Sequence, residues 1–345
     1  GGFIGEDLSI YGIEGKKAEM ELINAGTDSE TLSKVFDSIN LRSFDTSELL
    51  NLLQKEKNDY MKKRLRNEVF ERLWNAGIGD IDLTAITDLP LSQALKAIYL
   101  IKDLEKHKGI KVFVDALAPL SILLEELLYE NINNKLIDNE ILQGLYNKYL
   151  SILKEYSKRP DRYEGAKDIE YVKERLSGNV IVMDGLRYDL WLIFKDIMLN
   201  EGWRIRDEVF RIDSPTTTSN FREIIGITYE RGTINGRSYS LLKVAEREIG
   251  KRNLKRFLKE DTEIRFLHFN FIDTKIHGST IDLYPLYEII KKEFITGIIP
   301  ILKEIGSFYL TSDHGFTDTK ELKERYSHGG RDLWETLLPF AETRI

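Results

Sequence analysis

The chain has 345 residues, of which 42% are apolar and 31% are charged, and its formal net charge is -7. This composition is that of a globular protein long enough for two domains, and the negative charge argues against a protein that coats nucleic acid through bulk charge. The absence of cysteine excludes disulfides and thiolate metal sites, so a metal ion needs His, Asp, Glu or hydroxyl ligands. No stretch has the length of an apolar membrane span, and the N-terminus lacks the order of a signal peptide, which predicts a soluble, cytoplasmic protein.

The N-terminal half has a helical pattern. Apolar residues recur at spacings of three and four between about residues 16 and 158, and only residues 110–114 give a weak indication of a strand. We therefore predict an all-α domain over residues 1–172, with a charged linker at residues 158–167. This half contains no catalytic constellation. Its one histidine, His107, fits a helix end, where a cation is favoured by the helix dipole.

The second half, residues 173–345, alternates between strand and helix patterns. The predicted strands are residues 180–183, 203–212, 264–272, 308–311 and 337–340. The predicted helices are residues 186–199, 220–227, 241–258, 284–305 and 320–326. This alternation predicts an α/β domain with a doubly wound, mostly parallel sheet covered on both faces, in which ligands bind at the carboxyl ends of the strands.

Residues of metal-binding type stand just past these strands. They are Asp184, Asp273, His277, Asp313, His314 and, before the last strand, His328. Each aspartate alone is more often a cap or a turn former, but capping does not need imidazoles. Together these residues predict a site of histidine and carboxylate ligands, which suits zinc, manganese or another first-row cation.

A run of hydroxyls lies between the first and third of these strands. Residues 214–220 read Ser-Pro-Thr-Thr-Thr-Ser-Asn and precede a predicted helix. Hydroxyls in that place are usually helix caps. Beside a pair of metal ions, however, a threonine becomes an activated nucleophile, and the helix dipole favours an incoming phosphate.

Five motifs therefore follow one another in order. They are Asp184-Gly185, Pro215-Thr216-Thr217-Thr218, Asp273-x-x-x-His277, Ser312-Asp313-His314-Gly315 and His328-Gly329. This set resembles the alkaline phosphatase superfamily over about residues 175–345. Residues 183–189, 326–330 and 338–340 are similar to its PglZ domain, a family that occurs in BREX phage-defence systems and in some two-component regulators.

The resemblance implies two divalent metal ions, with zinc as the first choice and manganese as the alternative. One ion would be held by Asp184, Thr218, Asp313 and His314, and the other by Asp273, His277 and His328. It also implies in-line displacement at phosphorus with Thr218 as the nucleophile, while Thr216 and Thr217 remain alternatives. The segment between Thr218 and Asp273 is too short for a large cap domain, which favours an open site.

Several arginines are candidates for substrate binding. Arg187 and Arg222 lie close in sequence to the predicted site. Residues 251–259 form an amphipathic pattern that places Arg252 and Arg256 on one face, where they could contact a phosphate backbone. A solvated helix face is the alternative for that stretch.

His268 stands five residues before Asp273 in the same predicted strand. In a regular strand the two side chains point to opposite faces. We therefore predict a core or supporting histidine rather than a ligand.

The predicted function is that of a two-metal-dependent phosphodiesterase that hydrolyses nucleotide or oligonucleotide phosphodiesters, in BREX-like phage defence or in signalling. Its partners would be a nucleotide or nucleic-acid substrate and other defence-complex proteins, with no membrane. One alternative is a phage-defence scaffold that docks partners through its helical half and has weak or vestigial catalysis. A second alternative is a phosphomonoesterase.

Overall fold

A computed structural model gives the fold of the chain and describes residues 37, 39–76, 86–244, 251–320 and 325–345. The contacts between residues divide the chain into two compact units. The first comprises residues up to Leu104 and Leu123–Ser151, and the second comprises Glu105–Ile122 and Ile152–Ile345. Independent folding from residue 173 stays a prediction.

The regular elements of the N-terminal half, among the residues described, are helices. They are α1 Thr46–Lys55, α2 Asp59–Ala76, α3 Leu89–Asp103, α4 Ala118–Asn134 and α5 Asn139–Lys158. Asp45 and Glu48 form a capping box at the start of α1. Asp88 caps α3 and also pairs with the buried Arg66 of α2 at 2.8 Å, which joins these two helices.

The weak strand signal at residues 110–114 does not correspond to a strand. Gly109 and Ile110 form a turn, and the chain then enters a helix whose Phe113–Leu117 segment has π-helical bonding and leads into α4. Phe113 is buried against Trp334, with ring centroids 4.9 Å apart. A short apolar run does not distinguish a buried helix from a strand, so the periodicity here was ambiguous.

The second unit contains a seven-stranded mixed sheet and a two-stranded one within the described residues. The strands are β1 Gly178–Met183, β2 Arg204–Arg211, β3 Arg231–Ile234, β4 Arg237–Val244, β5 Ile264–Phe269, β6 Phe308–Ser312, β7 Thr317–Asp318, β8 Tyr326–Ser327 and β9 Leu337–Arg344. The large sheet has the order β2-β9-β6-β1-β5-β4-β3, and β6, β1, β5 and β4 are parallel neighbours. The prediction of a mostly parallel α/β sheet is confirmed.

Helices cover the large sheet. They are α6 Ile169–Arg175, α7 Tyr188–Asn200, α8 Thr218–Ile225, α9 Lys251–Phe257, α10 Phe271–Ile276, α11 Leu283–Glu293, α12 Ile299–Ile305 and α13 Leu333–Thr336. Phe221 and Ile225 of α8 join Val180 and Val182 of β1 in one apolar cluster. The alternate residues of β1, such as Ile181, are also buried, so both faces of this strand are covered.

Three predicted element boundaries are wrong. Residues 241–244, predicted as helix, form the end of β4, and the described part of the helix is Lys251–Phe257; residues 245–250 lie outside the described residues. The third predicted strand ends at Phe269, because the chain turns into α10 there. In the last predicted helix, Tyr326 belongs to β8, and residues 321–324 are again outside the described part.

The predicted linker at residues 158–167 is held within the second unit. Tyr156, in the last turns of α5, donates its hydroxyl to the Gly109 carbonyl at 3.0 Å. The Lys167 backbone bonds to both Val209 and Arg211 of β2 at 2.8 Å. No helix in the described residues is long and apolar enough to cross a membrane.

Candidate metal centre

The centre lies at the carboxyl ends of the parallel strands β1, β5 and β6. Asp184 follows β1 directly, and Asp313 and His314 follow β6. Gly185 has a φ of 80°, and a side chain there would meet the backbone of Asp273 at 3.5 Å. That distance is an ordinary contact, so it is the positive φ of the turn after Asp184 that favours glycine at this position.

Ser312 ties two of these loops together. Its hydroxyl accepts a bond from the Leu186 amide at 3.0 Å and lies 2.6 Å from the His314 carbonyl. Gly315 packs so closely that a β-carbon there would stand 1.8 Å from the Trp334 carbonyl oxygen. These contacts fix the backbone on either side of His314.

The first group of candidate ligands consists of Asp184, Asp313 and His268, which are all buried. His268 Nε2 lies 3.3 Å from Asp313 Oδ2 and 3.6 Å from Asp184 Oδ2. Asp313 Oδ1 also accepts a bond from the Gly185 amide at 3.3 Å. Two carboxylates thus converge on one buried point beside the His268 imidazole.

The second group consists of Asp273, His314 and His328. Asp273 Oδ1 lies 3.6 Å from His328 Nε2 and 3.2 Å from Nε2 of His277, whose side chain is exposed. His277 and His328 approach each other to 3.3 Å between their Nε2 atoms. His314 Nε2 lies 3.1 Å from Asp184 Oδ1, which brings the two groups next to each other.

The structure therefore brings together all six predicted histidine and aspartate ligands. By mutual distance His314 can group with Asp273 and His328, and His268 with Asp184 and Asp313. His314 Nε2 also lies 3.1 Å from Asp184 Oδ1, as the implied set has it, so the division of the ligands between two ions stays a prediction.

The neighbouring charges of the site shift the pKa values of His314, His328 and Asp313. Burial disfavours the His314 imidazolium, but Asp313 and Asp184 outweigh it and raise the pKa of His314 to about 9. Burial acts to raise the pKa of Asp313, but His314 and His268 hold that pKa well below its usual range. Burial and the charge of His314 lower the pKa of His328.

The pKa of Asp273, unlike that of Asp313, is raised. Burial, together with the Asp184 charge, raises the pKa of its carboxyl despite the neighbouring imidazoles. Among the described residues, Asp273 Oδ1 and His328 Nδ1 are buried without a hydrogen bond. Unsatisfied buried acceptors among crowded carboxylates indicate a cation site.

These residues fit divalent metal ions. The donors are carboxylates and imidazoles without sulfur, as zinc and manganese accept. His314 Nδ1 lies 2.9 Å from the Gly315 carbonyl, so this nitrogen carries the proton and Nε2 is left to face the site.

Of the three threonines, only Thr218 reaches the ligands. Its hydroxyl donates to Asp184 Oδ1 at 3.4 Å from the first residue of α8. Thr217 is the N-cap of α8, and Thr216 is buried with its hydroxyl on Glu335 at 2.8 Å. The geometry therefore favours Thr218 over the two alternatives.

The predicted substrate-binding arginines occupy different environments. Arg222 Nη2 lies 3.3 Å from His268 Nδ1, at the edge of the first ligand group. Arg187 is 3% exposed, forms a buried ion pair with Asp189 at 2.6 Å and stacks on Trp334. This placement gives Arg187 a structural position, and its contact with substrate stays a prediction.

The basic stripe is only partly described. Arg256 is exposed on α9, whose Leu254 and Phe257 are buried, as an amphipathic helix requires. The side chain of Arg252 lies outside the described part of the structure. Binding of a phosphate backbone by this helix stays a prediction.

His268 is buried, as expected for a core or supporting histidine, but the strand-alternation argument behind that prediction does not apply. The strand ends at Phe269, and Asp273 lies on α10, so strand alternation does not relate the two side chains. Asn270, at the N-cap position of α10, was the sequence signal for this break.

Comparisons with known proteins give little beyond this geometry. No protein-family profile matches the chain. No curated protein matches it either. One similar solved structure is the integral membrane protein lipooligosaccharide phosphoethanolamine transferase A from Neisseria meningitidis, at 13% identity and a TM-score of 0.30, covering 87% of this chain and 72% of that one. The functional argument therefore rests on the residues of the site.

Proposed function

We propose that this protein is a two-metal-dependent phosphodiesterase in which Thr218 is the nucleophile. The observation that carries the proposal is the position of the Thr218 hydroxyl, 3.4 Å from Asp184 Oδ1. Asp184 Oδ1 in turn lies 3.1 Å from His314 Nε2, which belongs to the second ligand group. The hydroxyl thus stands where the two groups meet.

The candidate ligands would hold two metal ions. Asp184, Asp313 and His268 would hold one divalent ion, and Asp273 and His328 the other, with His314 and His277 beside them. When bound, such ions neutralise the phosphate charge and activate the attacking and leaving oxygens.

Thr218 supplies the bond-forming atom. Its hydroxyl gives up a proton as Oγ1 attacks phosphorus, and the leaving alcohol takes up a proton as its bond to phosphorus breaks, which leaves a phosphothreonine. Water then attacks phosphorus, the bond to Oγ1 breaks, and the Thr218 oxygen takes up a proton from that water. Its place in the first turn of α8 adds the helix dipole, which favours the phosphate charge. Arg222, one turn further along α8, can hydrogen-bond a phosphate oxygen.

An open site supports a diester substrate. The described residues between Thr218 and Asp273 form β3, β4, α9 and β5, which belong to the large sheet and its flank rather than to a cap. A larger diester, such as a nucleotide or oligonucleotide, can therefore extend away from the reacting phosphorus.

The motif order supports finer proposals. They are a PglZ-type protein of the alkaline phosphatase superfamily, zinc or manganese as the metal, and a role in phage defence or signalling beside other defence proteins. The helical N-terminal residues would form a domain of their own.

Metal analysis and turnover test the proposal. Wild-type protein should bind divalent ions, measured by mass spectrometry, and hydrolyse bis-nitrophenyl phosphate faster than the monoester. Thr218→Ala and Asp313→Ala should each lower kcat at least about 100-fold, since each removes part of the reacting assembly. Ser219→Ala and Asp213→Asn are matched controls, because both side chains are exposed, and they should keep wild-type rates.

Other outcomes have defined meanings. A preference for the monoester would replace the proposal with a phosphomonoesterase. No metal and no turnover would favour a scaffold protein. Wild-type activity of the Asp313 variant would refute the site assignment.

A further inference from the structure

Two cations flank His268, and only one of them belongs to the reaction proposed above. Lys243, near the end of β4, is paired with His268 in the parallel register of β4 and β5. Arg222 of α8 reaches the same imidazole, 3.3 Å from Nδ1. Because adjacent strands are ~4.8 Å apart, the Lys243 backbone is the direct neighbour of the His268 backbone.

Lys243 lies on the face of the sheet that α8 covers. Tyr239 of β4 belongs to the apolar cluster that Phe221 and Ile225 of α8 close, and Leu241 packs against that cluster. Since side chains alternate along a strand, Lys243 continues this row. Lys243 is exposed, so this row of β4 side chains ends in a cation near the carboxyl end of the strand.

Neither cation has a carboxylate partner within the described residues. Other cations of this region are paired, as Lys255 is with Glu304 at 3.1 Å and Arg231 with Glu260 at 3.0 Å. In the described part of the chain, the hydrogen bond of Arg222 is to a ring nitrogen of His268, which does not neutralise its charge. Arg222 and Lys243 therefore leave a local positive charge.

Metal binding increases this positive charge. Two divalent ions more than balance the carboxylates of Asp184, Asp273 and Asp313, which are the acidic members of the two ligand groups. The loaded site then attracts more negative charge than the single charge of one phosphodiester.

We propose that Arg222 and Lys243 form a subsite in which Arg222 contacts the reacting phosphodiester and Lys243 binds a second phosphate group of the same substrate. This inference rests on the proposed function and narrows it. The substrate class is then a short single strand of nucleic acid, or a dinucleotide with a terminal phosphate, rather than a diester with one phosphorus.

Three dinucleotides that share one diester test the subsite. They are dithymidine monophosphate without a terminal phosphate, with a 5′-phosphate and with a 3′-phosphate. Wild-type protein should favour one phosphorylated form over the unphosphorylated form by about tenfold in kcat/KM, the effect of one charge-assisted contact. Lys243→Ala should lower this preference below about twofold and leave the unphosphorylated dinucleotide within about twofold of wild type.

Lys292→Ala is the matched control, because Lys292 is an exposed lysine on α11 and is not a member of the proposed subsite. It should keep the wild-type preference. Equal effects of Lys243→Ala on all three dinucleotides, or a result like that of Lys292→Ala, would overturn the subsite.

Failure of the proposed function is a separate result. If metal-loaded wild-type protein hydrolyses none of the three, the phosphodiesterase proposal fails. The preference is then measured by equilibrium binding of the same dinucleotides. Weaker binding of only the phosphorylated form by Lys243→Ala would support the subsite, and uniform binding would overturn it.

Discussion

The protonation of His314 sets the charge of the site when no metal ion is bound. Its Nε2 faces Asp184 at 3.1 Å, and the neighbouring carboxylates raise the pKa of the imidazole from its ordinary value of 6.5 to about 9. At neutral pH this ring therefore carries a proton on the nitrogen that a metal ion needs. The proton and the metal compete for one position.

Metal affinity should consequently rise with pH. The raised pKa of His314 stabilises the metal-free fold fully below about pH 6.5, and this contribution is lost as the pH rises through about 9. Between pH 7 and 9, the apparent Kd for manganese should fall about tenfold per pH unit, because one proton is displaced. Calorimetry in buffers of different ionisation enthalpy measures both the affinity and the proton released.

His314→Gln is the control for this experiment, since its side chain does not titrate. The variant should bind metal more weakly and lose most of the pH slope. A wild-type affinity that stays constant between pH 7 and 9 would contradict the argument.

Single residues also show what sequence can predict about this site. Asp184, Asp313 and His314 could be identified because each directly follows a clear apolar strand. His268 could not, because its position depends on where β5 ends, and apolar residues continue on both sides of Asn270, which made the strand look longer than it is. Lys243 depends on the pairing of β4 with β5, which no local pattern specifies.

At the level of elements, a buried ionic network joins three helical segments. Asp189, at the start of α7, is fully buried and accepts bonds from Arg187, from Tyr287 of α11 at 2.7 Å and from Ser121 of α4 at 3.1 Å. Burial raises the pKa of Tyr287 well above its ordinary value, so its hydroxyl remains a donor. The network fixes the start of α7 close to Asp184.

Removal of one donor should destabilise the protein measurably. Tyr287→Phe should lower the free energy of unfolding by about 1.5 kcal/mol, because a buried charged acceptor loses a bond. Urea denaturation should show a lower midpoint with an unchanged m-value.

Tyr309→Phe is a matched control, because the Tyr309 ring stacks on Phe340 and its hydroxyl makes no hydrogen bond among the described residues. It should change stability by less than about 0.5 kcal/mol. Equal midpoints for the two variants would show that the Tyr287 bond contributes nothing.

Sequence patterns predicted the elements better than their ends. The β-branched run of β1 and its parallel neighbours were identified because buried strands have a distinctive composition. β3 and β4 were missed, since β3 is mostly exposed and β4 reads as the beginning of a helix. Propensity is a weak signal where tertiary pairing decides the structure.

For the whole molecule, the division of the chain differs from its sequence order. Glu105–Ile122 belongs to the second compact unit, although it lies in the predicted helical half. Phe113 contacts Trp334, Ser121 bonds to Asp189, and Val172 belongs to the cluster beneath α8. Long-range contacts of this kind leave no mark on local periodicity, so sequence could not reveal them.

Two fragments of the chain can distinguish the predicted boundary at residue 173 from the observed division, in which Glu105–Ile122 belongs to the second unit. A fragment of residues 173–345 begins at the predicted boundary but loses the packing of Phe113 and the strand-edge bonds of Lys167 to β2. It should express poorly and show no cooperative unfolding by circular dichroism. A fragment of residues 105–345 keeps these contacts and should unfold cooperatively and bind metal. Cooperative unfolding and metal binding by the shorter fragment would instead support a domain that begins at residue 173, because the ligand residues would then be held without the preceding segments.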